Sequence, residues 1–409
     1  MSYTDNSAFA GSGYELWPLG TLVEERSETG DAADLAPLSV GKQGVTAQLA
    51  GVAKSANTSS RKVVRAGDIA INSRSDRRGA AGLARQDGTI SVVYSVMTPN
   101  PHLLDKEYAH HLFRSVPFQE EFFRFGTGIH WDLWSTRFTS MRQIPVPLPP
   151  LPTQRAIADY LDRETAEIDA MAAELDGLED TLSSRRDAEW ESLYRGVSGP
   201  EIAVQYLIES IADGPFGSAL TSSHYSDSGY RVIRLGNLGI NEYRDADKAY
   251  IPEMYGKQLD RHSVTTGDVV MAGLGDDKMP LGRACVIPET ALPAIVKADC
   301  YRLRPRTELI SSGYLAWALS SPSLREIASL QSRGSTRSRL NTEIAKSLRL
   351  RVPDLAVQSK ILDEWRSASS AIDSMIADAK ELKALLAERR SALITEVVTG
   401  RKAVFSSEL

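Results

Sequence analysis

From Gln154 to Arg195 the apolar positions recur on a seven-residue step, at Leu161, Ile168, Leu175 and Leu182, with Met171 and Leu178 at alternate seam positions. No proline interrupts the stretch, and Gly177 is its only glycine. A heptad of this kind predicts a helix that buries a narrow stripe against a partner helix. At 1.5 Å per residue, about 42 residues make a rod on the order of 60 Å long. Five prolines between Pro145 and Pro152 hold the approach to it extended. Thr153 is the expected N-cap, and Gly196, Gly199 and Pro200 stop the rod. The pattern then returns. Trp365, Ile372, Ala379, Leu386 and Leu393 keep the step, with Met375 and Leu382 between them, up to Thr399-Gly400.

The two stretches align at a constant offset of 204 positions, without a gap. Gln154 falls on Gln358, Ile157 on Ile361, Ile168-Asp169 on Ile372-Asp373, Arg185-Arg186 on Arg389-Arg390 and Gly196 on Gly400. A period of about half the chain predicts a duplicated half-protein and not a solenoid.

Outside the rods the apolar runs are short, β-branched and bounded by Gly, Asp and Asn, as strands are. In residues 1–150 they are 62–64, 68–71 and 89–96, followed by helices expected at 107–115 and 117–125. In residues 200–350 they are 230–235, 267–272 and 284–287, with a helix at 311–319. The blocks resemble each other in order: Gly67-Asp68-Ile69 matches Gly267-Asp268-Val269, and the helix at Tyr108 matches the helix at Tyr314. The expected organisation is a first block at 1–150, a first helical spacer at 151–199, a second block at 200–350 and a second spacer with its tail at 351–409. The expected fold class is α+β. Two similar mixed α/β domains are separated by two long antiparallel helices that form a coiled coil, with pseudo-two-fold symmetry.

Charge adds an asymmetry. The 409 residues carry a net charge of −6. Residues 151–199 hold 5 basic against 12 acidic side chains, a net of −7, while residues 1–150 (15 against 15) and 200–350 (18 against 17) are near neutral and can still carry basic faces. The start, Met1-Ser2-Tyr3-Thr4-Asp5, lacks a basic region followed by an apolar run, and no stretch approaches the roughly 18 apolar residues of a membrane span. These features predict a cytoplasmic protein with its two cysteines, Cys285 and Cys300, reduced. Neither cysteine lies at metal-ligand spacing, so no metal site is expected.

A stiff spacer holding two related modules suits a ligand with a regular repeat. Duplex DNA is the obvious one, with half-sites spaced by whole turns of about 34–36 Å. Here a family resemblance enters. Pro147-Leu148-Pro149-Pro150-Leu151-Pro152-Thr153-Gln154-Arg155-Ala156-Ile157 and Val352-Pro353-Asp354-Leu355-Ala356-Val357-Gln358-Ser359-Lys360-Ile361 both show proline, leucine, then Gln-x-x-Ile. Asp213-Gly214-Pro215-Phe216-Gly217-Ser218, Arg234-Leu235-Gly236-Asn237 and Gly267-Asp268-Val269 add short motifs. From about residue 12 to 402 the chain resembles the specificity subunit of a type I restriction–modification enzyme. The first block lacks a clear Gly-Pro-Phe-Gly equivalent. The resemblance implies a non-catalytic reader of an asymmetric, bipartite DNA target, with one half-site per target-recognition domain. It also implies two modification (methyltransferase) subunits docked on the helices, with restriction/motor subunits joining them. S-adenosylmethionine, Mg and ATP are then expected only on those partners, and none in this chain.

DNA reading calls for Arg or Lys at guanine, Asn or Gln at adenine, and hydroxyls or cations at phosphate. In the second block the densest set is Arg333, Ser335, Thr336, Arg337, Arg339 and Asn341 around Gly334; Ser222, His224 and Tyr225 form another, and Lys278 is a third site. In the first block the corresponding candidates are Arg74, Arg77 and Arg78, then Thr127, His130 and Arg137, with Trp131 and Trp134 as anchors beneath that loop. A coiled-coil scaffold without a DNA role and a self-contained DNA methyltransferase or nuclease are the alternatives. The second is disfavoured because the chain has no Asn/Asp-Pro-Pro-aromatic motif and no phosphate-binding Gly-x-x-x-x-Gly-Lys-Ser/Thr. Pro353-Asp354 with Lys360 imitates a nuclease set, but the aligned first copy lacks both acid and lysine.

Overall fold

The computed structural model describes residues 7–30, 35–41, 44–48, 61–74, 79–128, 134–276, 279–332 and 339–404. The chain forms two compact units, Met1–Asp176 with Lys380–Leu409, and Gly177–Ala379. Each unit gathers one mixed block with part of both long helices, Leu151–Gly196 and Leu355–Val398.

The units are built alike. In the first, Val23–Glu25, Tyr94–Pro99, Ile69–Asn72 and Ala81–Leu83 form an antiparallel sheet in that order. In the second, Ile208–Ala212, Cys300–Pro305, Val269–Ala272 and Ala284–Val286 repeat it. A separate antiparallel pair closes each block beside its long helix, Leu16–Pro18 with Pro145–Pro147, and Glu201–Ala203 with Arg349–Arg351. Against each four-stranded sheet lie two short helices, Lys106–Leu112 and Val116–Arg124 in one unit, Ser312–Leu319 and Pro322–Leu330 in the other. The first of each pair starts on a capping side chain: Asp105 accepts from the Glu107 and Tyr108 N–H groups, and Ser311 from that of Tyr314. Each unit also has its own sheet, Thr29–Gly30, Arg61–Val64 and Gly88–Ile90 in the first, and a four-stranded one around Tyr230–Ile233 in the second.

The repeated Gly-Asp pair has a physical reason. Gly67 and Gly267 take left-handed φ of 101° and 86°, which turns the chain into the strand. The aspartate that follows is buried and must be paired. Asp68 accepts from Arg26, Thr98 and the Arg65 N–H; Asp268 accepts from Arg304, Thr265 and the Thr265 N–H.

The long helices join their blocks through two buried glutamines. The Gln154 amide donates to Leu103 O and Pro149 O, at 2.9 and 2.8 Å, and its carbonyl accepts from Asp105 N–H at 2.8 Å. The Gln358 amide donates to Leu309 O and Pro353 O, at 3.0 and 2.9 Å, and its carbonyl accepts from Ser311 N–H at 2.9 Å. Tyr108 and Tyr314 add the same bond, from hydroxyl to Pro147 O and to Arg351 O.

Within each unit the two helices run antiparallel. Asp169 pairs with Arg390 and Asp176 with Lys383 in the first, and Arg186 with Asp373 in the second. The seven-residue step is the buried one: Leu161, Ile168, Leu182, Trp365, Ile372, Ala379, Leu386 and Leu393 all face inward. The alternate positions differ from expectation, because Leu178, Met375 and Leu382 are exposed. The seam instead takes Thr165, Ser369 and Ile376, each four residues after a heptad position, and polar side chains share it. Thr153 is no N-cap either, since the helix already begins at Leu151, with Pro152 in its first turn where no N–H bond is lost. The expected strand at 89–96 is two strands, broken by a turn in which Tyr94 N–H bonds Ser91 O.

The second long helix ends against the start of the chain. Ser12 Oγ and Gly13 N–H both donate to Thr399 O, and Phe9 is buried in the core of that unit. In the other unit the chain runs on from Gly196 to the strand at Glu201 through four residues.

His110 sits between the sheet and the helix pair of the first unit. Leu83 N–H donates to its Nδ1, and the Arg114 guanidinium lies 2.8 Å from its Nε2. Burial, then the Arg114 charge, lowers its pKa from 6.5 to about 3. The folded value is below the unfolded one, so the unfolded chain binds more protons in that interval and stability falls as the pH drops from 6.5 towards 3. Urea midpoints of the chain against pH are expected to show this loss, and His110→Gln, which keeps an acceptor for Leu83, is expected to remove part of it.

Candidate nucleic-acid interface

At the end of the central strand of each four-stranded sheet, the chain meets the loop that leads to a short helix. In the first unit Arg74 bridges Ser135, and Thr136 N–H bonds Ser73 O at 2.9 Å. In the second unit Leu274 bridges Arg339, and Leu340 N–H bonds Gly273 O at 2.9 Å. The two bridges are equivalent, and each carries one exposed arginine, on opposite partners. A common scaffold therefore presents its cation from different positions in the two units.

In the first unit this bridge borders an open cleft of about 590 Å³ lined by Arg74, Arg137, Lys62, Ser73, Ser95 and Thr139, among others. Thr127 lies beside it, paired through its backbone to Ser135. Its arginines and hydroxyls suit phosphate oxygens, while Lys62 is offset by Glu25, which also lines the cleft, 3.8 Å away. Ser73 lies in the candidate stretch around Arg74, whereas Lys62, Ser95 and Thr139 were not among the sequence candidates. Lys62 and Ser95 sit in strands with nothing local to mark them. Trp134 is an anchor, as expected: its Nε1–H donates to Phe123 O and its ring stacks on Phe123.

In the second unit the loops are held from beneath. Arg283 is buried and donates to five carbonyls, those of Leu235, Leu238, Leu274, Met279 and Pro280. Burial lowers its pKa. Asn237, of the Arg-Leu-Gly-Asn motif, accepts from Arg234 N–H and donates to Arg244 O and Asp247 O, closing the next loop. Ser222 is exposed. His224 packs against Tyr255 with ring centroids 4.7 Å apart, and its Nδ1 faces Thr221 N–H. The Lys297 ammonium lies 5.8 Å from the Tyr225 ring centre. Asn341 caps a short helix by accepting from Ile344 N–H, which leaves its amide NH2 for other contacts. Arg77, Arg78, His130, Lys278, Arg333, Ser335, Thr336 and Arg337 lie outside the described residues, as does Trp131.

Cys285 and Cys300 are buried free thiols. Burial pushes Cys285 up to about 12 and Cys300 higher, which suppresses the thiolate. Among the described residues no helix is long and apolar enough to cross a membrane.

Residues 40–180 match the family described as the type I restriction modification DNA specificity domain. The type I restriction enzyme MjaVIII specificity subunit of Methanocaldococcus jannaschii is 22% identical over 307 residues, which are 71% of this chain and 69% of that protein. A solved chain, reported on complex assembly and conformational transition of the type I R-M system, shares the fold with a TM-score of 0.65 at 15% identity; the match covers 95% of this chain and 98% of that one. With the duplicated helix motif and the unit built twice, these matches make the chain similar to the specificity subunits of type I restriction–modification enzymes, in fold over nearly its whole length and in family model over residues 40–180.

Proposed function

We propose that the chain reads an asymmetric, split DNA target with one half-site per block, the blocks being residues 1–150 and 200–350, while the segments at 151–199 and 351–409 set the spacing. The equivalent bridges with arginine on opposite partners carry this reading, because they give one scaffold two different contact surfaces. The chain itself performs no chemical step. Two modification (methyltransferase) subunits dock on the helices, restriction/motor subunits join them, and S-adenosylmethionine, Mg and ATP belong to those partners. The exposed Leu178 and Met375 on the helices of the second unit suit such docking, since apolar side chains left out of a seam have area to bury.

Long-read methylation mapping of DNA treated with the reconstituted methyltransferase complex tests this. One split motif with methylated adenine is expected. Exchanging residues 200–350 for those of a relative should change one half of the motif and leave the other half and the spacer unchanged. Methylation without sequence preference, or a change in both halves, contradicts the reading.

A further inference from the structure

The Asp213-Gly214-Pro215-Phe216-Gly217 turn leaves a large apolar ring in the open. Phe216 is 52% exposed. The Arg339 guanidinium carbon lies 5.7 Å from the centre of that ring. One nitrogen of the same guanidinium lies 2.8 Å from Asp299 Oδ1 as an ion pair, and the arginine side chain is still 53% exposed. The cation thus lies against both an acid and a ring, with about half of its side chain open to solvent.

The grip is itself built. Asp299 has a left-handed φ of 65°, a conformation that costs energy for a residue with a side chain. Two bonds hold it there: Asp299 N–H donates to the Asp213 carboxylate at 2.9 Å, and Gly273 N–H donates to Asp299 O at 2.8 Å. Asp213 also accepts from Gly214 N–H at 2.7 Å, which ties the start of the turn to the same carboxylate. Gly214 passes so close to Lys297 that a Cβ would lie 2.0 Å from its carbonyl carbon. Asp213, Asp299, Arg339 and Phe216 therefore form one connected unit from the motif aspartate to the exposed ring. Packing of the core does not require this. A structural turn could end on a polar side chain, and an arginine needed only for charge would not need to be oriented.

We propose that Arg339 and Phe216 form a single reading element for one base pair of DNA, with Asp213 and Asp299 as the positioning residues that aim it. The oriented guanidinium presents its free N–H groups to the O6 and N7 acceptors of a guanine. The ring covers adjacent apolar surface such as a thymine methyl. An arginine fixed by an acid discriminates, because its donors cannot swing to a phosphate. This inference rests on the DNA-reading function proposed above and names the residues that carry it in the second unit.

The test uses the full chain with its methyltransferase subunits and a panel of duplexes in which each base pair of the mapped target is replaced in turn. Asp299→Asn keeps a side chain that tolerates left-handed backbone but removes the charge. It is expected to lose about tenfold or more of the discrimination at one base pair of one half-site, the same pair affected by Arg339→Ala and Phe216→Leu. Discrimination elsewhere and the salt dependence of binding should stay at the parent values. The double variant Asp299→Asn with Arg339→Ala should lose no more than Arg339→Ala alone. Arg339→Lys, which is exposed and does not threaten the fold, should resemble Arg339→Ala, because a point cation cannot replace the fork. Uniform weakening over the whole panel would mark Arg339 as a phosphate contact and overturn the proposal. Unchanged discrimination at every base pair would overturn it as well, with the DNA-reading function left standing. A parent complex without any sequence preference would overturn both.

Discussion

Gln358→Leu is expected to cost the second unit about 3–5 kcal/mol. The side chain is fully buried and serves three backbone groups, Ser311 N–H, Leu309 O and Pro353 O. Leucine is similar in size, so no large cavity opens. The loss comes from three polar groups left without partners in a place water does not reach. Each such group costs about 1–3 kcal/mol. The damage falls where the block is fastened to its helix, so it should also change mechanics. Hydrogen exchange at 309–315 and 353–358 should rise together, and DNA contacts of the second block should weaken while those of the first persist. Urea unfolding followed by exchange mass spectrometry reads both. Gln154→Leu should transfer the same effect to the first unit, at Asp105 N–H, Leu103 O and Pro149 O. If either substitution left its unit as stable as the parent, the glutamines would not be the fastening.

Arg283→Met is the second large effect, about 2–4 kcal/mol. A buried cation is costly by itself, and replacing a buried ion pair with apolar groups is often harmless. Here the partners are five carbonyl oxygens, which remain when the cation goes. The loops at 235–238 and 274–280 would lose their common centre. Faster exchange in both loops, a lower melting temperature for the second unit and an undisturbed first unit are the expected results. Arg283→Lys should rescue little, because one ammonium with three donors cannot span carbonyls that a planar five-donor fork reaches.

These two residues differ in how visible they were in the sequence. The glutamines could be read as a repeated position, because Gln154 and Gln358 lie at the same offset as every other matched pair. Their partners are backbone atoms, so their place is legible in the repeat and their task is not. Arg283 had no signal at all, since carbonyls that converge from two loops leave no trace in residue identity. The long helices were legible from periodicity. Their seam lies one residue from the expected one because both candidate positions could be filled: Leu382 is apolar yet exposed, whereas Lys383 is charged yet half-buried, with its ammonium paired to Asp176. The bridges at the interface escaped for another reason. Arg74 and Ser135, or Leu274 and Arg339, are separated by some sixty residues, and local pattern says nothing about such pairings. The arginines themselves were found because basic, acid-poor loops stand out, whereas Phe216 looked like one more apolar residue in a turn motif.

The contact of Ser12 and Gly13 with Thr399 closes the first unit between stretches of chain far apart in sequence, Ser12 and Thr399 being 387 positions apart. Where one unit is interrupted, the other is continuous through Val197 to Pro200. The order in which the two halves follow along the chain is then almost arbitrary with respect to the fold. A gene that connected the stretch around Thr399 to the stretch around Ser12 and opened the chain in the 197–200 segment would specify the same strands, junctions and bridges. It would also reverse which unit is assembled from two distant pieces of chain and which is made in one run, so the order of synthesis would change while the folded contacts did not.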